Sequence, residues 1–208
     1  MNIDKLYAFP TDKVSHGYMP TYIPVFESLS DSTNVLEIGI GTGPSLNMLA
    51  AAFPNATIHG FDVVNSEHWP LSRPQVVTHV GDQENRGDLQ KLVEECGNKP
   101  FDLILDDGGH TMRQQQISLG YLFKHLKNGG VYILEDLHTS RMPSYIAEDC
   151  LKTSLDMLIE FNETNKIISN YMTQQEIEYL ENNIESIQIW SRTEEMANSV
   201  TSIIKKKF

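Results

Sequence analysis

The sequence predicts an α/β fold built on a doubly wound, mostly parallel sheet. Two observations carry that prediction. Residues 35–43, VLEIGIGTG, read as a strand entering a glycine turn, and a helix-like run then leads into a second strand within IHGFDVV, residues 58–64. Downstream, apolar runs at 76–80, 101–105 and 131–134 alternate with helix-compatible stretches, the order expected of successive strand–helix–strand units.

The first unit is the most specific. Val35, Leu36 and Ile38 suit a strand buried on both faces, and Gly39, Gly41 and Gly43 suit a turn that a ligand approaches closely. Leu46, Leu49, Ala50 and Phe53 share one face of the helix expected over 44–53. The strand over 57–61 then ends at Asp62, whose carboxylate can accept hydrogen bonds from both hydroxyls of a ribose. The unit therefore reads as an adenosine-binding element. A dinucleotide site favours G-x-G-x-x-G with a pyrophosphate on the helix N-terminus, whereas here G-I-G-T-G follows Glu37. A carboxylate there repels a pyrophosphate and suits an ammonium group.

Ahead of this unit, Pro20 and Pro24 are expected to break regular structure. Thr11, Asp12, Lys13, His16, Gly17 and Tyr18 form a dense polar and aromatic group, either a lid segment or a capped loop with a solvated Lys13 and a surface His16. After Asp62, residues 63–74 contain Trp69, Pro70 and Pro74 and are longer than an ordinary connection, which favours a functional loop. The third strand, 76–80, leads into Asp82, which either faces the ligand or caps a helix over 86–96.

The fourth strand, 101–105, runs straight into Asp106, Asp107, Gly108, Gly109 and His110, at the strand ends where open α/β sheets bind ligands. Asp106 is assigned to the cofactor side. A helix is expected over 116–126, stopped by Asn128, Gly129 and Gly130, before the fifth strand delivers Glu135 and Asp136. Asp107, Glu135 and Asp136 thus converge, and three carboxylates in a partly buried pocket need protons or a cation. Magnesium or manganese suits such hard oxygen donors; the alternative is that some of them cap helices or pair with Arg141 or Lys13. His110 lies three residues past Asp107 and is the candidate general base, while His125 and His138 have no comparable company. Further on, 145–161 is helix-compatible, 164–185 is polar with one or two helices, and strands at 184–190 and 200–206 can pair.

With 208 residues, 40% of them hydrophobic, one domain is expected over residues 1–208: a lid segment (1–30), a cofactor- and metal-binding core (31–140), and an acceptor region with a terminal hairpin (141–208). The net charge of −12 argues against nucleic acid as a substrate. Cys96 and Cys150 show no metal or redox spacing and read as free thiols, with buried packing as their role. No signal peptide or membrane span is apparent, so a cytoplasmic protein is expected.

The E-x-G-x-G-x-G turn with an acid ending the next strand resembles the class I S-adenosylmethionine-dependent methyltransferases. That resemblance implies a Rossmann-like, seven-stranded, mostly parallel sheet completed by a C-terminal antiparallel hairpin. Glu37, Gly39, Gly41, Gly43, Asp62, Asp82 and Asp106 would hold S-adenosyl-L-methionine, Asp82 near the adenine amino group. D-D-G-G-H-T at 106–111 and E-D-L-H-T-S at 135–140 are similar, more narrowly, to elements of the metal-dependent sugar O-methyltransferases that act on macrolide glycosides. In that family's pattern Asp107, Glu135 and Asp136 are metal ligands and His110 the base; Gly109 departs from it, where serine is usual. The implied activity is methyl transfer to a hydroxyl of a sugar, nucleotide sugar or glycoside acceptor, by a protein for which a homo-oligomer is allowed. Rival readings are a catechol-type or other small-molecule methyltransferase and a non-catalytic S-adenosylmethionine-binding subunit.

Overall fold

The structure, a computed structural model, describes residues 3–64, 73–194 and 197–208. The loop expected to be functional, with Trp69, lies largely outside the described residues. Seven strands form one sheet: β1 (Asn34–Ile38), β2 (Thr57–Asp62), β3 (Val76–Val80), β4 (Phe101–Asp106), β5 (Leu126–Leu134), β6 (Ile184–Glu194) and β7 (Ala197–Lys206). Their spatial order is β3-β2-β1-β4-β5-β7-β6. The first five strands run parallel, while β7 is antiparallel to both β5 and β6, so the doubly wound sheet with a terminal hairpin is as expected.

Eight helices flank the sheet among the described residues: α1 (Ile3–Leu6), α2 (Asp12–Ser15), α3 (Met19–Ser28), α4 (Pro44–Ala52), α5 (Arg86–Glu95), α6 (Met112–Leu122), α7 (Ser154–Thr164) and α8 (Gln174–Asn183). Strand alternation divides the core between the two faces of the sheet. Val35, Leu103, Leu105 and Ile133 pack with α1, α3 and α4, and Leu36, Ile104, Tyr132 and Leu134 with α5 to α8. Every parallel strand delivers its carboxyl end to the same rim. None of the described helices is long and apolar enough to cross a membrane.

Several boundaries differ from the sequence reading, each for a local reason. Helix α6 begins at Met112 because Thr111 and Gln114 form a reciprocal capping box, with Gln114 N donating to Thr111 Oγ1 at 3.2 Å. It ends at Leu122, so Asn128, Gly129 and Gly130 lie inside β5, where the pairing with β4 shifts register. The helix expected over 145–161 is confined to α7, started by the Thr153 cap and preceded by two short 3-10 turns, Leu137–Arg141 and Pro143–Tyr145. The polar stretch after it holds one helix, α8. Nor do Pro20 and Pro24 break the N-terminal segment: Pro20 stands in the first turn of α3, where its missing N–H costs nothing, and the helix continues through Pro24.

Candidate active site

The glycine turn is set by contacts within the chain. Gly39 (φ +81°) passes so close to the β4 exit that a Cβ there would lie 2.0 Å from the backbone oxygen of Asp107. Gly41 (φ +55°) has nothing within 4 Å of that position, so the turn presents bare backbone to an open cleft. Gly43, also left-handed, is the N-cap of α4. Asp62 holds the turn's shape, accepting from Ile40 N at 2.8 Å and from Val64 N at 3.1 Å. Its cleft, of about 310 Å³, runs from Gly39 and Gly41 past Asp62 and Asp82 to Gln83, Asp107 and Gln114.

A second cleft of about 380 Å³ shares Gly39, Gly41 and Asp107 with the first and adds Thr11, Asp12 and Lys13, with His110 and Asp136 on the other side. Lys13 is its electrostatic centre. Nζ is 2.7 Å from Asp107 Oδ2, 3.2 Å from Glu37 Oε1 and 3.4 Å from Glu135 Oε1, and the side chain is 1% exposed. The N-terminal segment is therefore not a loop with a solvated lysine. Those carboxylates hold the Lys13 ammonium well above its usual range against the opposing effect of burial. Burial and the Asp107 charge push the Glu135 carboxyl up, Lys13 notwithstanding.

Asp136 sits at φ +54°, ψ 32°, a backbone conformation that costs a non-glycine residue about 1–3 kcal/mol and clusters at functional sites. Its carboxylate gathers Tyr18 OH (3.1 Å), His110 Nε2 (3.4 Å) and His138 Nδ1 (3.7 Å). Tyr18 is in turn hydrogen-bonded to Ser199 of β7. Ligand-capable atoms of Asp107, His110 and Asp136 all lie within 4.8 Å of one another. Glu135 is not part of that close set; it lies deeper, and its buried Oε1 accepts no hydrogen bond although Lys13 is near. A buried carboxylate oxygen without a donor is an acceptor that a cation would satisfy.

Two expected cofactor residues point elsewhere. Asp106 is 1% exposed and lines neither cleft; it accepts from Ser118 Oγ (2.5 Å), Tyr132 OH (2.6 Å) and Gln83 Nε2 (3.2 Å). Burial, opposed by these donors, pushes it up to about 6. Its place is under the cleft floor, holding Gln83, whose Oε1 accepts from Gly109 N at 2.5 Å. Glu37 is fully buried behind the turn, taken up by Ser45 Oγ (2.7 Å) and Lys13, and does not line either cleft. Asp82 faces the cleft and accepts from Glu84 N at 2.9 Å; the α5 cap is Asn85 instead. Arg141 pairs with Asp156 at 2.6 Å, so of the two basic residues expected there it is Lys13 that stands among the strand-end acids. At Gly109, a Cβ would fall 2.2 Å from the Gln114 amide, so the capping side chain of α6 occupies the room a serine would need.

Lys13, Tyr18, Gln83 and His138 were not singled out as site residues by the sequence reading. The signals for the first two were the density of polar groups at 11–18 and, for Lys13, its place as a possible partner of the strand-end acids.

Residues 36–137 match the methyltransferase domain family. The mycinamicin VI 2''-O-methyltransferase of Micromonospora griseorubida is 31% identical over 164 residues, covering 73% of this chain and 40% of that protein. A Streptomyces olivaceus enzyme, 8-demethyl-8-(2-methoxy-alpha-L-rhamnosyl)-tetracenomycin-C 3'-O-methyltransferase, is 36% identical over 138 residues, covering 62% of this chain and 34% of that one. The MycE methyltransferase of the mycinamycin biosynthetic pathway, solved with Mg, SAH and mycinamycin VI, superposes with a TM-score of 0.79 at 26% identity over 100% of this chain and 55% of its own. The chain thus spans little more than half the length of that structure and less of the curated relatives. By sequence and by fold together, it carries a methyltransferase domain over residues 36–137 and resembles the O-methyltransferases of macrolide and tetracenomycin sugars.

Proposed function

We propose that the chain transfers a methyl group from S-adenosylmethionine to a hydroxyl of a sugar-bearing small molecule. The observation that carries the reading is the meeting of two clefts at Gly39, Gly41 and Asp107, one lined by the strand-end acids Asp62 and Asp82, the other by Lys13, His110 and Asp136. In the first, the open face of Gly41 admits the cofactor, and Asp62 and Asp82 would accept from its ribose hydroxyls and adenine amino group. The second would take the acceptor.

The donor set fits a hard divalent cation: Asp107, Glu135 and Asp136 offer oxygens only, and Glu135 Oε1 lacks a donor. MycE was solved with Mg, and the same ion is proposed here, held by those three residues. When bound, it supplies a Lewis acid that makes a neighbouring sugar hydroxyl more acidic. The protein's own contribution is placement. Asp136 orients the His110 ring through Nε2, which leaves Nδ1 as the nitrogen that would accept the hydroxyl proton. Lys13 keeps Asp107, Glu135 and Glu37 together without letting them repel one another apart. A sulfonium methyl needs no activation, so alignment of donor and hydroxyl supplies the rest.

The test is transfer of labelled methyl to a rhamnosyl-bearing tetracenomycin-type glycoside and to its aglycone, with magnesium and with chelator. Product is expected from the glycoside with magnesium alone. His110→Ala should lower turnover ~10²–10⁴-fold while leaving cofactor affinity intact. Equal methylation of the aglycone, or bound cofactor with no product from any hydroxylated sugar, sinks the reading.

A further inference from the structure

A second cluster with metal-ligand character lies away from both clefts. His59 on β2 and His79 on β3 project from the same face of the sheet, and Cys96, the C-cap of α5, closes over them. Because α5 returns from the cleft rim toward the opposite end of the strands, Cys96 approaches the two rings from the side away from the cofactor turn. His59 Nδ1 and His79 Nε2 are 3.0 Å apart, Cys96 Sγ is 3.8 Å from His79 Nε2, and all three ligand atoms lie within 4.8 Å of one another. The three side chains are buried at 5–6% exposure.

We propose that His59, His79 and Cys96 form a binding site for a thiophilic divalent cation of the zinc class. Two imidazoles and a thiolate are the ligands such an ion prefers, and its bonds of about 2.0–2.3 Å place neighbouring ligand atoms at separations like those here. The surroundings match. His79 Nδ1 lies 2.8 Å from Glu95 Oε2, the carboxylate–histidine arrangement that fixes a ligand's tautomer and turns its Nε2 lone pair toward an ion. That lone pair faces both His59 Nδ1 and the Cys96 thiol. Binding forms a metal–sulfur bond, breaks the S–H bond and releases its proton to solvent; the thiolate and Glu95 together then balance two positive charges. The ligands stand on β2, on β3 and at the end of α5.

The probe is cobalt(II), titrated into the metal-stripped full chain. A thiolate ligand gives a sulfur-to-cobalt charge-transfer band that oxygen donors such as Asp107 and Asp136 do not. We expect the band to saturate at about one equivalent, to disappear on adding zinc, to survive Cys150→Ser and to be lost in Cys96→Ser. Glu95→Gln should weaken cobalt binding ~10-fold or more. Should Cys96→Ser not fold, His59→Gln, which keeps the thiol, must show a weaker or altered band. No band in the parent protein, or one that persists in Cys96→Ser or is unaltered in His59→Gln, overturns the proposal.

Discussion

At the scale of single residues, Lys13 decides whether the strand-end acids can coexist. Its ammonium is buried among Glu37, Asp107 and Glu135, and removing one partner of a buried pair leaves uncompensated charge at a cost of about 3–5 kcal/mol. Lys13→Met should therefore lower the unfolding free energy by about that amount in a denaturant titration near neutral pH; a change under 1 kcal/mol would show that another group offsets the acids. Glu37 supplies a test with a definite sign. Burial raises its carboxyl from 4.5 to about 7 despite Lys13 and Ser45. Between those values the folded state holds a proton that the unfolded chain has released, so this contribution to stability declines as pH rises from about 4.5 to 7. Relative to Glu37→Gln, the parent protein should lose a few kcal/mol across that window. A flat difference would mean the carboxylate is ionised throughout. The sequence showed the acids because they stand at strand ends next to glycines. It offered Lys13 or Arg141 as their counter-ion without deciding between the two, because Lys13 reaches Asp107 across 94 positions and nothing local marks a lysine as buried.

At the scale of elements, the first strand, its turn, α4 and β2 were legible because glycine spacing, strand apolarity and helical periodicity all agreed there. Legibility fell where a cap or a register shift decided the boundary. Gly129 and Gly130 look like a helix stop, but α6 is ended earlier and they serve a register shift in β5. Asp106 reads from sequence like Asp107, yet alternation along β4 turns its side chain into the core, where three donors hold it. The turn itself predicts two different outcomes from one substitution. Both Gly39 and Gly41 have positive φ, which costs alanine about 1–2 kcal/mol. At Gly39 a methyl also meets Asp107 backbone at 2.0 Å, whereas at Gly41 it meets nothing within 4 Å among the described residues. Gly39→Ala should thus compromise folding, read as a lost or strongly lowered thermal transition, while Gly41→Ala stays folded and binds cofactor more weakly by calorimetry. Equal effects on stability would contradict the assignment of Gly41 to the open side of the turn.

At the scale of the molecule, the cleft depends on helices being held against a sheet from which they diverge in sequence. Asp82 and Gln83, which form one cleft wall, lead directly into α5, and Arg86 at the start of α5 reaches the C-terminal half. Arg86 donates to both oxygens of Glu176, at 2.8 and 2.7 Å, and to the backbone oxygen of Tyr171 at 2.8 Å. Glu176 also caps α8, accepting from Thr173 N at 2.7 Å, so one carboxylate joins the start of α5 to the start of α8. Its carboxyl is held below its usual range by Arg86 and the Thr173 cap, although burial acts the other way. Hydrogen bonds to a charged group contribute about 1.5–3 kcal/mol, and Arg86→Ala leaves a nearly buried carboxylate with only its capping donors. We expect Arg86→Ala to destabilise the fold by about 2 kcal/mol in a denaturant titration. Since Arg86 touches neither cleft, cofactor affinity of the folded fraction should change less than threefold. A large loss of affinity with little loss of stability would reverse the roles, making the tether a determinant of cleft geometry rather than of packing between the two halves.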